Sequence, residues 1–198
     1  SVASRGLGDV YKRQIYYMDA LENIISRNSP RVLSEPVPSD EQMQLVYKAA
    51  LRAPDHAWLR PSRFIEVKGD GIRKLSEIFS QFANDHIAGG DQQKVEKYKN
   101  APFRAPMIII LISHIKEHPK VPEIEQIMST AAAAQNILLA LSALKFGGMW
   151  RTGALALNEK ISSYLGLREN ERVLGYLYVG TPEGSEKRIP ELELSDFV

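Results

Sequence analysis

Three short runs carry residue types that bind anions or flat rings. The first is Arg27-Asn28-Ser29. A guanidinium makes two parallel hydrogen bonds to a phosphate, and a serine hydroxyl adds a further donor. The second is Arg52-Ala53-Pro54-Asp55-His56, where Arg52 and His56 suit an anion or a polar ring. The third is Gly147-Gly148-Met149-Trp150-Arg151-Thr152-Gly153. Glycines let a backbone approach a flat ligand, Trp150 offers an aromatic wall and Arg151 a fixed charge. Each run also has a plain structural use. An arginine at a helix C-terminus is favoured by the helix dipole alone. His56 suits a turn, and the glycine run suits a tight turn with a packed indole.

Other chemistries find no support. The sequence has no Walker A motif, no G-x-G-x-x-G and no G-x-S-x-G. It has no cysteine, which excludes disulfides, thiolate nucleophiles and cysteine-ligated metals. His114 and His118 are four residues apart, but the spacing spans a strand end and a loop. They read as solvated loop histidines rather than metal ligands. Glu117, Glu123 and Glu125 read as a solvated face.

These runs sit at the boundaries of predicted elements. Met18 to Arg27 reads as a helix with Met18, Leu21, Ile24 and Ile25 on its apolar face. Ser29-Pro30 ends it, since proline disfavours helix in the residue before it. Ser39 to Gln42 is a capping box, opening a helix to about Ala53 with Met43, Val46, Tyr47, Ala50 and Leu51 inward. Arg63 to Val67 is a short strand and Gly71 to about Phe82 a helix. Asn84 to Lys99 is polar and flexible, with Gly89-Gly90 and then a charged helical patch. Pro106 to Ser113 is the most apolar segment and rich in β-branched isoleucine, a strand buried on both faces. Glu123 to Lys145 holds a long helix, apolar nearly all round and therefore central, ended by Gly147-Gly148. Asn158 caps a short helix through Tyr164, closed by Gly166. Val173 to Val179 is another central strand, and the tail after Gly180 has no packing pattern of its own. Few strands, many helices and irregular alternation predict an α+β layer fold.

Composition sets the outer bounds. The 198 residues suffice for one domain with a substantial core. Apolar residues make up 44% and charged residues 25%, ordinary for a globular protein. No apolar run approaches the ~18–20 residues of a membrane helix. The overall charge of +1 gives no reason to expect nucleic acid or an anionic membrane as partner. Residues 9–14, Asp-Val-Tyr-Lys-Arg-Gln, resemble one reading frame of a transposase adaptor used in sequencing libraries. The expectation is that residues 1–17 are a non-native or disordered extension and that residues 18–198 form a single domain.

The order of the three runs is more informative than any one of them. A helix ending in Arg-x-Ser, a helix ending in Arg-Ala-Pro-x-His and a Gly-Gly-x-Trp-Arg segment together resemble the nitroreductase family, in particular its compact bacterial NAD(P)H nitroreductase subgroup. Asn100-Ala-Pro-Phe-Arg-Ala-Pro106, Lys120-Val-Pro122 and Gly175-Tyr-Leu-Tyr-Val-Gly-Thr-Pro182 add to the likeness, which spans essentially Met18 to Pro182. The resemblance implies a central mixed or antiparallel sheet flanked by helices, with a long buried central helix. It implies a homodimer with FMN in the interface and NAD(P)H as electron donor; the lack of cysteine fits a cytoplasmic protein. Carried over residue by residue, Arg27, Asn28 and Ser29 would hold the FMN phosphate and ribityl end. Arg52 and His56 would reach the same flavin from the other protomer. Trp150, Arg151 and Thr152 would line the ring. The implied turnover is ping-pong hydride transfer through flavin N5 to a nitroaromatic, quinone or other small acceptor. The flavin does the chemistry, so no protein nucleophile is needed. The alternative is a flavin-binding store or sensor without turnover.

The sequence departs from the family pattern in three places. Where a Gln-Pro-Trp run is common, it has Arg60-Pro61-Ser62, followed by Arg63, so a tryptophan is lost and two positive charges appear. Asn28 stands where an arginine is common. Lys187-Arg188 resembles a basic pair that holds phosphate in larger relatives, but the compact subgroup does not depend on it, so the pair is left outside the expected site.

Overall fold

In the computed structural model, residues 19–185 and 187–198 are described. Met18 and the adaptor-like run lie outside the described residues.

The strand predicted as most buried organises the molecule. β3 (Met107–His114) lies between β2 (Ser62–Lys68) and β5 (Glu171–Glu183), antiparallel to both. Its residues Met107 to Ser113 are all buried, as the unbroken apolar run requires. Two further strands pair with β5: β1 (Val32–Ser34) and β4 (Gly147–Arg151). The result is a five-stranded antiparallel sheet.

Helices cover both faces. On one, Ile108, Ile110 and Ile112 of β3 pack with Leu75, Phe79 and Phe82 of α3 (Asp70–His86). On the other, Met107, Ile109 and Leu111 meet Met43, Val46 and Ala50 of α2 (Asp40–Ala50). They also meet Ala133, Ala134, Ile137 and Leu141 of α5 (Glu123–Ala143), the long central helix. Ser39 caps α2 with the predicted box: its hydroxyl takes the Gln42 amide and Gln42 reaches back to the Ser39 amide.

Several expectations are corrected. α1 (Ala20–Ser26) is capped by Asp19. Its apolar residues do not face this chain's core: Leu21, Ile24 and Ile25 are exposed, Ile25 by 71%. The buried residue is Asn23, whose amide donates to Leu139 O of α5 at 3.0 Å. Leu51 is likewise exposed rather than inward. The Gly147–Arg151 segment is a strand and not a turn, because backbone pairing with β5 overrides the low strand propensity of glycine. α5 ends instead on Lys145, left-handed at φ 67°, with the Phe146 amide returning to Leu141 O at 2.9 Å. β5 runs on past Gly180, and Thr181, Pro182 and Glu183 pair with β1. α3 continues to His86, so Asn84 and Asp85 are helical, and α4 (Gln92–Lys99) supplies the charged helical patch. The short helix predicted from Asn158 through Tyr164 is α7 (Ile161–Tyr164), with Lys160 rather than Asn158 at its N-cap, and an unpredicted turn, α6 (Ala154–Leu157), precedes Asn158.

Candidate functional site

A cleft of about 300 Å³ opens where α1, the α5 C-terminus, β4 and the tail meet. Arg27, Asn28 and Ser29 line one side, and Gly147 and Gly148 another. Arg27 sits where the chain leaves α1 for extended backbone, so its side chain projects from a helix end. Its Nη1 is buried and has no hydrogen-bond partner among the described residues. A buried guanidinium nitrogen left unpaired is costly, and an anionic ligand satisfies it best. The lining holds four cations, Arg27, Arg31, Lys145 and Lys187, against one carboxylate, Glu183. Among the described residues none of the four forms an ion pair. This donor set fits a dianionic phosphate such as that of FMN.

Asn28, which lines the cleft, also has a structural use. Its amide donates to Lys187 O at 3.1 Å, and its carbonyl accepts the Ser29 amide at 2.8 Å. It ties the C-terminal tail across the cleft. Lys187, left outside the expected site, is thereby brought to the same cleft as Arg27. The only sequence signal for it was the resemblance of Lys187-Arg188 to a basic pair of larger relatives. The bond that delivers it spans 159 positions, a separation that hides the contact in the linear chain.

The Gly-Gly-x-Trp-Arg run enters the same region along a strand. β4 begins at the cleft with Gly147 and ends at Arg151, roughly 13 Å further on at ~3.3 Å per residue. The two glycines are tightly enclosed. A Cβ on Gly147 would lie 2.6 Å from Pro30 Cγ, and one on Gly148 2.5 Å from Leu138 Cδ2. Protein atoms crowd both positions, so packing favours glycine there as well. Trp150 is half-buried, and its indole N–H donates to Leu174 O at 3.3 Å. That carbonyl is free to accept because β5 slips register between Val173 and Gly175. The guanidinium of Arg151 lies 5.2 Å from the centre of the Tyr178 ring. Its Nε is buried without a partner among the described residues. Burial pushes the Tyr178 phenol above its ordinary pKa, while Arg151 and Arg104 pull against that rise. Thr152 is exposed at the far end.

Arg52 and His56 do not line this cleft. Arg52 is exposed just beyond α2. His56 Nδ1 lies 2.6 Å from Glu125 Oε2, in the first turn of α5. The cleft residues Leu138 and Ser142 are at the other end of that helix. Glu125 and Leu138 are thirteen positions apart, roughly 20 Å at ~1.5 Å per residue. One chain therefore does not bring His56 to Arg27.

The two extra positive charges of the departing run are both neutralised. Arg60 pairs with Asp55 at 3.3 Å, and Arg63 pairs with the buried Glu171. The loop that carries Arg60 holds Ala57, Trp58 and Arg60 at φ 55°, 54° and 53°. Non-glycine residues there cost of order 1–3 kcal/mol each. His114 closes β3, and His118 in the next loop accepts the Lys120 amide at 3.2 Å.

Known proteins match this chain in sequence and in fold. The nitroreductase family model matches residues 24–181. A protein of Escherichia coli (strain K12) named "Putative NAD(P)H nitroreductase YdjA" is 42% identical over 84% of this chain and 90% of its own. A Haemophilus influenzae protein is 32% identical over 91% of this chain and 98% of its own. Among solved structures, a nitroreductase-like family protein from Bacillus cereus has a TM-score of 0.78 at 20% identity, covering 92% of this chain and 95% of that one. A nitroreductase with bound FMN from Bacteroides fragilis has a TM-score of 0.71 at 20% identity, covering 91% and 98%. The family match spans the helix-covered antiparallel sheet from α1 into β5 and all three runs, and this chain belongs to the nitroreductase family.

Proposed function

We propose that the protein is an NAD(P)H-dependent flavin oxidoreductase, a homodimer holding FMN between protomers and reducing flat acceptors such as nitroaromatics or quinones. The observation that carries the reading is the buried, unpartnered Arg27 nitrogen in a cleft of surplus positive charge. The names of the relatives, which give NAD(P)H as donor, and the FMN in the Bacteroides fragilis neighbour support it.

Each run then has a task. Arg27, Ser29 and Lys187 bind the phosphate, and Asn28 holds the tail that delivers Lys187. Trp150, Arg151 and Thr152 border the ring, with Arg151 offering charge to its polar edge. Arg52 and His56 reach the site of a second copy, since they do not reach their own. The exposed apolar residues of α1, together with Ile124 and Met128 on α5, give that second copy a surface to cover. Bound FMN would supply hydride acceptance and donation; the chain supplies position and field.

A spectrum of the purified protein, taken before and after anaerobic NADPH and NADH, tests the reading. Flavin bands that bleach are the expected result and identify the donor. Bands that persist would mean a flavin-binding module without turnover. No flavin after reconstitution would overturn the proposal.

Sharing of the site is tested separately. Arg27→Ala is expected to weaken FMN binding by roughly 1.5–3 kcal/mol, the scale of a charged hydrogen bond. Mixing Arg27→Ala protomers with Arg52→Ala protomers should restore one intact site per heterodimer. Flavin titration that shows no recovery would count against a shared site.

A further inference from the structure

Three non-glycine residues between α2 and β2, namely Ala57, Trp58 and Arg60, stand in the left-handed region. Such backbone persists only where its surroundings enforce it, and it concentrates at ligand sites. The enforcing group here is Asp55. Its carboxylate accepts the Leu59 amide at 3.0 Å and the Arg60 amide at 2.9 Å, and it pairs with the Arg60 guanidinium. The outcome is an indole pushed outward: Trp58 is 77% exposed. The Arg60 guanidinium lies 5.5 Å from the centre of that ring, a favourable contact for the indole in this position.

The position of this arm matters. His56, two residues earlier, is the residue that the reading above sends to the flavin of the second copy. An indole is rigid, electron-rich and stacks on flat rings without needing a particular hydrogen-bond pattern. We propose that Trp58 is a specificity-determining residue, an aromatic wall at the mouth of the composite site on which a flat, electron-poor acceptor stacks. The proposal rests on the flavin-site reading and adds to it a residue that selects the acceptor.

The test uses holoenzyme of the wild type, Trp58→Leu and Trp58→Phe, titrated with nitrobenzene in the absence of NAD(P)H. Perturbation of the flavin absorbance reports binding without turnover. Trp58→Leu should raise the nitrobenzene Kd about fivefold, the weakening expected for one lost aromatic pair. Trp58→Phe should stay close to the wild type, and both variants should keep wild-type FMN affinity and oligomeric mass. Unchanged nitrobenzene affinity in Trp58→Leu would overturn the proposal and leave the flavin reading intact. A fall in FMN affinity or in mass would overturn it too, by making Trp58 a flavin or interface residue. A wild type that binds no FMN would overturn both, and needs no variant to be seen.

Discussion

Gly175→Ala is expected to destabilise the fold by about 3 kcal/mol and to weaken flavin binding with it. Gly175 lies in β5 at φ 145°, backbone that L side chains rarely adopt. A Cβ there would collide with the Trp150 indole nitrogen and sit 2.7 Å from Arg151 O. The indole cannot move aside cheaply, since it packs into the core and is tied to Leu174 O. Relief requires shifting β4, and β4 carries the Trp150-Arg151-Thr152 edge of the proposed site. Urea unfolding measures the first effect and FMN titration the second. Gly89→Ala is the control. It also has positive φ, 58°, but a Cβ there meets nothing within 4 Å, so its cost should stay near ~1 kcal/mol. Equal losses in the two variants would show that crowding against Trp150 contributes nothing.

The second large effect is expected at the Arg63–Glu171 pair, which ties β2 to β5 across β3. Glu171 is 1% exposed and Arg63 43%. Burial pushes the Glu171 carboxyl up, but the Arg168 amide, Arg63 and His114 outweigh it and hold the group below its ordinary pKa. Removing Arg63 leaves a buried carboxylate, while removing Glu171 leaves a guanidinium that water already reaches. Arg63→Ala should therefore cost more than Glu171→Gln. Deleting one partner of a fully buried pair costs ~3–5 kcal/mol; solvent screening of Arg63 lowers the expectation to about 2–3 kcal/mol. The sign with pH follows from the lowered carboxyl. The pair's contribution is complete above the ordinary glutamate pKa of ~4.3 and is lost as pH falls through the folded-state value. The gap between wild type and Arg63→Ala should thus narrow in acid. Urea unfolding at neutral pH and below pH ~4 checks this, and a gap that widens in acid would remove the ion pair as its cause.

Local signals named most of the scaffold. The all-apolar run of β3 could be satisfied only by cover on both faces, and it has that cover. The Ser39–Gln42 box marked the start of α2, because both groups of a capping box lie within four residues. The long apolar helix had to be central, and Ala133 and Ala134 do sit in its buried face. The resemblance placed the family. Strands β1 and β4 escaped because their stability comes from β5, a partner far away in sequence and invisible in their own composition. The same reason hid the continuation of β5 beyond Gly180.

For the candidate site the division is similar. Residue types and their order in the sequence determined which side chains could meet a phosphate or a ring: Arg27, Ser29, Arg52, His56 and Arg151. Tertiary structure decided where each one sits and what surrounds it. It turned the apolar residues of α1 outward, bonded Asn28 to the tail, and brought Lys187 to the cleft that Arg27 lines. It also neutralised Arg60 and Arg63, which had looked like free charge. The physical reason is common to all of these. A side chain's chemistry is fixed by its covalent structure, but its charge balance and burial are set by neighbours that only the folded chain assembles.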